Sequence, residues 1–294
     1  MHRAVIDLGT NTFNLLIADT QTRQVLFQTK EGVALGMGGI NEKRISDEAM
    51  VRALEALRQF KAHCLQWKVQ EIRAIGTSAL RDAKNAPDFL QKVFNELQIS
   101  IQIISGLHEA DLIYKGVQLT YDFAQPALIM DIGGGSTELI AATNEGPYLA
   151  QSFDIGVSRL FQAFDFSDPF SDADIHNVEA FLAQKCGTFF KQKLPQILIG
   201  SSGSFETFYE LMEERIFNSK SDSVEVDCNR FIHMLEQIMA STQAERDQNP
   251  HIIAIRKKMA PLAAIKTRWV LRQANIQQIY ISPYSLKEGV LFGK

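Results

Sequence analysis

Asp131-Ile132-Gly133-Gly134-Gly135-Ser136-Thr137-Glu138-Leu139-Ile140 joins one apolar strand, Ala127 to Met130, to a second through three glycines and two hydroxyl residues. The same order stands near the start of the chain, in Asp7-Leu8-Gly9-Thr10-Asn11-Thr12-Phe13-Asn14-Leu15-Leu16-Ile17, entered by the strand Ala4 to Ile6. Both copies have an Asp, a Gly, a hydroxyl five places after the Asp, and then an apolar run. Each reads as a β-hairpin with a loop at its tip. A repeat spaced by more than a hundred residues fits a duplicated lobe. Solenoids and propellers repeat every ~20 to 50 residues instead.

Outward from the hairpins, strands alternate with helices. A third strand is expected near Gln24 to Thr29. Ser46 is an N-cap ahead of Asp47 and Glu48, opening a helix to about Trp67 whose buried face carries Met50, Leu54, Leu57 and Cys64. Strand Ile72 to Ile75, helix Pro87 to Leu97, strand Ile99 to Ile104 and a helix from about Glu109 to Leu119 follow. Pro126 closes the boundary stretch Tyr121 to Pro126, which sets domains at 1–124 and 125–294. The second copy continues with strands to about Asp154, helices Ser158 to Phe164 and Asp172 to Lys193, and strand Ile197 to Ile199. A mainly helical end follows, with a strand at Ile279 to Ile281 and a final helix over about 284–294 free to pack back on the first domain. The pattern is α/β with mixed sheets.

With 294 residues, 46% hydrophobic and 22% charged, the chain can bury a sizeable core in two lobes of ordinary size. Cys64, Cys186 and Cys228 lie too far apart for a metal knuckle or redox pair, which fits a reducing compartment. Neither a signal peptide nor an apolar run long enough to span a bilayer is visible, so a cytoplasmic, membrane-free protein is expected. A net charge of -4 argues against general nucleic-acid binding. From His251 onward, however, eight basic residues face a single acid, Glu288. That end either attracts an anion or presents a solvated basic helix face.

The loops suit phosphate. Consecutive glycines let backbone N–H groups point into one concavity and let a ligand approach where a Cβ would stand. Gly133, Gly134, Gly135, Ser136 and Thr137 form one such wall, and Gly9, Thr10, Asn11 and Thr12 the other, so that two facing loops can grip one phosphate chain. Neither is a P-loop, because no Gly-Lys-Ser/Thr follows and the exits are strands. A bare Asp at the head of each loop would repel phosphate unless a divalent cation lay between, and Mg²⁺ takes one or two carboxylates plus water and phosphate oxygens. Asp7, Asp131 and Glu138 are therefore candidate metal or metal-water contacts; for each Asp, capping its own turn is the competing role, and for Glu138, pairing with a surface cation. Arg81 ends the small-residue turn after Ile75, with a side chain shaped to hold phosphate by two parallel hydrogen bonds or, more plainly, to form a surface ion pair. Glu109 sits at a helix start, where it either serves chemistry or favours the dipole by about 0.3–1 kcal/mol. Ser202 and Gly203, between a strand and a helix, offer a seat for a nucleotide or distal phosphate, or a helix cap. The histidines form no HxxxH or HExxH pair, and no Gly-x-Ser-x-Gly elbow with an identifiable His partner occurs.

The ordered set resembles the exopolyphosphatase and guanosine pentaphosphate phosphohydrolase family, a branch of the actin, Hsp70 and sugar-kinase superfamily. It consists of Ile6 to Phe13, Gly76 to Asn85, Ile104 to Ala110, Asp131 to Leu139, Ile155 to Leu160, Gly200 to Gly203 and Leu286 to Leu291, nearly the whole chain. The resemblance implies two ribonuclease-H-like (actin-like ATPase) domains with mixed sheets flanked by helices and the active site in the interdomain cleft. It further implies dependence on Mg²⁺, with Mn²⁺ as a substitute, and release of terminal phosphate from inorganic polyphosphate or from the five-prime end of pppGpp. It places Glu109 as the catalytic base for water and Arg81 as the catalytic phosphate-contacting Arg. Asn11, Gly134, Gly135, Ser136 and Thr137 take the positions of its phosphate loops, and Asp131 and Glu138 its metal and water neighbourhood. Two departures stand out: Asp111 where many members carry Arg, and Pro283-Tyr284-Ser285-Leu286-Lys287-Glu288-Gly289 where the family tends to Asp-Gly-x-Leu-Arg-Glu-Gly. Ending after that segment, the chain looks like the short members without a C-terminal helical domain, for which low processivity is expected. A kinase or ATPase of the same superfamily, and a non-catalytic sensor of polyphosphate or an alarmone, are the alternatives; a homodimer is compatible with either.

Overall fold

The structure is a computed structural model describing residues 1–218 and 222–293. Its first sheet contains β1 (His2–Leu8), β2 (Thr12–Asp19), β3 (Gln24–Gly32), β4 (Glu71–Gly76) and β5 (Ile101–Ile103), ordered β3-β2-β1-β4-β5. The second contains β6 (Ala127–Ile132), β7 (Thr137–Thr143), β8 (Gly146–Phe153), β9 (Ile197–Ser201), β10 (Val224–Val226) and β11 (Gln278–Ile281), ordered β10-β11-β9-β6-β7-β8. Apart from β10, the two orders superimpose: an antiparallel meander of three strands whose first member pairs in parallel with the fourth, which pairs in parallel with the last. The sequence echo is thus a duplication of topology. The register makes it closer still, since Asp7 lies opposite Asn14 and Asp131 opposite Glu138.

The helices are α1 (Asp47–Gln66), α2 (Ser78–Asp82), α3 (Ala86–Leu97), α4 (Gly106–Val117), α5 (Val157–Phe161), α6 (Asp172–Cys186), α7 (Ser202–Glu213), α8 (Cys228–Ala240), α9 (Gln243–Gln248), α10 (Ala260–Gln273) and α11 (Leu286–Phe292). Local chemistry starts several of them: the Ser46 hydroxyl accepts from Ala49 N at 3.2 Å, and Ser105 accepts from His108 N at 3.2 Å. The helix expected over Asp172 to Lys193 stops at Cys186. Gly187 and Thr188 are poor helix formers, and the 3₁₀ turn that follows seats Phe189 in the core, edge-on to Phe153 at 5.8 Å. β10 lies in a segment read as helical.

Two elements lock the lobes at one end. α4 leaves the first sheet, yet Ala110, Ile113 and Val117 share an apolar cluster with Ile129 and Ile140 of the second. α11 returns to the first sheet, with Leu291 and Phe292 packed on Val5, Leu16 and Ala18; Lys294 of the range 284–294 lies outside the described residues. α4 and α11 meet through glycines: a Cβ on Gly289 would overlap the Leu112 carbonyl, and one on Gly116 would overlap that of Ser285.

Candidate active site

Each hairpin loop has its carbonyls taken by the segment behind it. In the first, Ala34 N donates to Asn11 O at 2.8 Å and Gly36 N to Thr10 O at 3.1 Å. In the second, Val157 N, Ser158 N and Gly156 N at the start of α5 donate to Gly133 O, Gly134 O and Gly135 O at 3.1, 2.9 and 3.1 Å. The amides of Gly134 and Gly135 therefore turn away from α5. The glycines answer to the opposite loop as much as to any ligand: a Cβ on Gly134 would lie 2.8 Å from the Asn11 side chain, and one on Gly135 2.6 Å from Thr10 Oγ1 and Ser78 Oγ. The first loop is also tied to α5, where Ser158 Oγ donates to Asn11 Oδ1.

Between the loops lies a cavity of about 480 Å³. Gly9, Thr10, Asn11, Thr12, Gly133, Gly134, Gly135, Ser136, Ser202, Gly203, Asp7, Asp131 and Glu109 all line it. Three residues singled out from the sequence do not. Thr137 is 1% exposed and its hydroxyl accepts from Lys266 Nζ at 2.5 Å, so it faces the interior of the second lobe rather than the cavity. Glu138 is equally buried and accepts from Ser152 Oγ at 2.6 Å, not from a surface cation. Arg81 stands behind Glu109, with Nη1 donating to Glu109 Oε2 at 3.0 Å and to Ile104 O at 3.1 Å; this is a partly buried pair, not a surface one. Ser202 lines the cavity, yet its hydroxyl is within hydrogen-bond distance of both Ile132 O and Ile132 N. Its φ of 78°, rare for a residue with a side chain, marks local strain beside the site.

Four carboxylates gather here, and burial outweighs the two cations that act on them, Arg81 on Glu109 and Glu138 and Lys287 on Asp7 and Asp131. Burial pushes Asp7 up to about 6, against the lowering bond from Asn14 Nδ2 at 3.0 Å, and the nearby Asp131 charge adds to the rise. Asp131 is raised by burial despite hydroxyl bonds from Ser285 (2.5 Å) and Ser201 (2.7 Å). Glu109 is held well above the ordinary carboxylate range by burial and by Glu138, with Arg81 opposing. Glu138 is raised by burial and by Asp131. Clustered, desolvated oxygens of this kind suit a hard divalent cation. Among the described residues no three such side chains converge into a ready cage. One or both of Asp7 and Asp131, with water and phosphate oxygens, make the set that fits.

Several residues at the site were not picked out from sequence. Asn14 was legible, because it stands at the same offset from Asp7 as Glu138 does from Asp131. Lys287, in the segment that departs from the family pattern, lines the cavity and pairs with Glu288 at 3.0 Å. The other departure, Asp111, pairs with Lys115 at 3.0 Å one turn along α4. The basic C-terminal run divides: Lys287 and Arg256 reach the cavity, Lys266 is buried behind the second loop, and Arg268 and Arg272 pair with Glu179.

The two-domain α/β fold with paired phosphate-type loops defines a class of phosphoryl-handling proteins. A profile described as the Ppx/GppA phosphatase family matches residues 16–294. An exopolyphosphatase from Cytophaga hutchinsonii is 35% identical, with a TM-score of 0.95 over 99% of this chain and 97% of that one. The Aquifex aeolicus member of the Ppx/GppA family, 22% identical, shares the fold, with a TM-score of 0.82 over 99% of this chain and 96% of that one. The chain belongs to the Ppx/GppA phosphatase family.

Proposed function

We propose that this protein is an exopolyphosphatase, releasing terminal orthophosphate from inorganic polyphosphate with Glu109 as base. The observation that carries the reading is Glu109 itself: a carboxylate 7% exposed, on the wall of the cavity that both loops line, steered by Arg81. Phosphoryl transfer to water asks mainly for in-line positioning and charge neutralisation. The loop amides and hydroxyls hold the terminal phosphate, and Arg81 orients the base. Glu109 takes a proton from water as the water oxygen bonds to phosphorus and the bridging P–O bond breaks, leaving a chain one phosphate shorter. A base poised above the usual carboxylate range accepts that proton more readily, and proton transfer to a positioned side chain contributes roughly 10²–10⁴-fold. A divalent cation, Mg²⁺ or Mn²⁺, when bound on Asp7 or Asp131, supplies neutralisation of the phosphate oxygens.

The cavity is also lined by Ile255, a partly exposed apolar side chain that an inorganic chain does not use and a nucleobase does. This favours pppGpp as a second substrate through its 5′-phosphate. Phosphate release from short polyphosphate, long polyphosphate, pppGpp and ATP, with and without Mg²⁺, tests the reading. Release from polyphosphate without any acceptor is expected, and turnover that requires an acceptor would point to a kinase instead. Glu109→Gln is expected to lose at least about 10²-fold in kcat; full turnover by that variant, folded as the parent, would overturn the assignment.

A further inference from the structure

The segment Ile155 to Leu160 has no part in the chemistry above, yet its Arg159 reaches from the second lobe to three residues of the first. It is only 14% exposed along its side chain. Nε donates to Gly135 O at 3.1 Å, in the second phosphate loop. Nη1 donates to Ile40 O at 3.3 Å, in the segment behind the first loop. Nη2 donates to Ser78 Oγ at 3.4 Å and Asp82 Oδ2 at 2.6 Å, both on α2. The Asp154 carboxylate stands farther off, at 3.9 Å. One guanidinium therefore spends four of its five N–H groups on three separate pieces of the site.

α2 is the piece that needs holding. It has five residues, and its N-cap Thr77 makes no side-chain cap bond. A helix that short does not fix its own orientation. It carries Arg81 toward Glu109 on one side, while Ser78 and Asp82 are held by Arg159 on the other. The neighbouring contacts repeat the tie: Asn41 Nδ2 donates to Arg159 O at 3.1 Å, Gly38 N to Gln162 Oε1 at 2.9 Å, and Gln162 Nε2 to Gly36 O at 3.1 Å. On the other rim of the cavity the lobes are joined by the exposed pair Lys30–Glu206 at 3.4 Å.

We infer that Arg159 is a positioning residue, which through Asp82 and Gly135 sets the Arg81–Glu109 pair against the second phosphate loop. It is not among the residues that line the cavity. The inference rests on the reading of Glu109 and Arg81 given above. Displacing a base by about 1 Å costs on the order of 10²-fold, whereas the second loop keeps the bonds its carbonyls accept from Gly156 N, Val157 N and Ser158 N. The loss thus falls on kcat and spares KM.

The test is steady-state phosphate release from polyphosphate by Arg159→Ala, Arg159→Lys, Asp82→Asn, the Arg159→Ala/Asp82→Asn double variant and Glu109→Gln, with thermal melts of each. Arg159→Ala is expected to lose about 10- to 100-fold in kcat with KM changed less than about threefold. Arg159→Lys keeps the charge near Asp82 without the planar fork, and is expected to recover only part of the loss. Asp82→Asn is expected to share the kcat defect, with the double variant no worse than the poorer single one, because both act through one tie. A merely structural role would lower the melting temperature and leave kcat intact below it, which overturns the inference. Parental kcat in Arg159→Ala, with Glu109→Gln inactive, sinks it alone. Full turnover by Glu109→Gln sinks the reading beneath it and this inference together. If Arg159→Ala does not fold, Asp82→Asn and Arg159→Lys decide by the same split.

Discussion

Asn14 and Glu138 occupy one position in two copies of a hairpin, and they solve the same problem differently. In the first copy the loop Asp faces an amide that donates to it; in the second it faces another carboxylate, and hydroxyls from Ser201 and Ser285 do the donating. The second arrangement places a further carboxylate near Glu109 and raises its affinity for a proton. Replacing Glu138 by Gln removes that contribution. A base works only when deprotonated, so activity climbs with pH through its pKa, and lowering that pKa moves the climb to more acidic pH. The acidic limb of the kcat/KM profile of Glu138→Gln is therefore expected below that of the parent, whatever the height of the plateau. A limb that stays in place, or moves to higher pH, would show that Glu138 does not act on the base. Glu109 and Arg81 were readable only as one candidate each, since their nearest alternatives were a dipole partner and a surface ion pair; the 3.0 Å contact that joins them spans 28 residues of chain.

At the scale of elements, the closing segment gains its physical reason from the α4–α11 contact. Gly116 and Gly289 let two backbones meet at a distance that any side chain forbids. Gly289→Ala sets a methyl against the Leu112 carbonyl, which is backbone and cannot swing aside. Destabilisation of about 1–3 kcal/mol or more is expected, in line with overpacked cores. Urea or thermal unfolding measures it, and an unchanged midpoint would mean that the helices separate without cost. Lys287 and Glu288 ride on α11, so the same substitution also shifts groups that line the cavity. Caps and apolar spacing made most helices legible, α1 above all. The end of α6 was not, because Phe189 leaves the helical path to reach a core formed by distant strands. β10 escaped for a related reason: a strand of three residues has meaning only beside β11, which lies far along the chain.

For the whole molecule, buried charge makes stability depend on pH in two windows. Asp7 is raised from 3.8 to about 6, so the folded state holds a proton there that the unfolded state has released. Stability from this group falls as pH rises from about 4 to 6, and Asp131 and Glu138 push the same way. Lys266 is lowered from 10.5 to about 7 by burial, so the unfolded state binds the extra proton between those values, and stability rises with pH across them. In the absence of divalent cation the two slopes meet near pH 7, where a minimum is expected. A cation that neutralises the carboxylates relieves only the first penalty, so Mg²⁺ should raise the melting temperature more at pH 8 than at pH 5. Equal shifts at both pH values would argue against carboxylate ligation. Lys266→Met is expected to flatten the rise between pH 7 and 10 and leave the acidic slope in place.

By itself the sequence determined the duplication, the loops at the hairpin tips and the helices that cap themselves, because each of these depends on residues adjacent along the chain. Only the tertiary structure decided which hydroxyls face the cavity and which face a buried lysine, that Arg81 holds Glu109, and that Arg159 ties three separate segments together. Side-chain direction and charge environment are set by neighbours brought from far along the chain, and no local pattern records who those neighbours are.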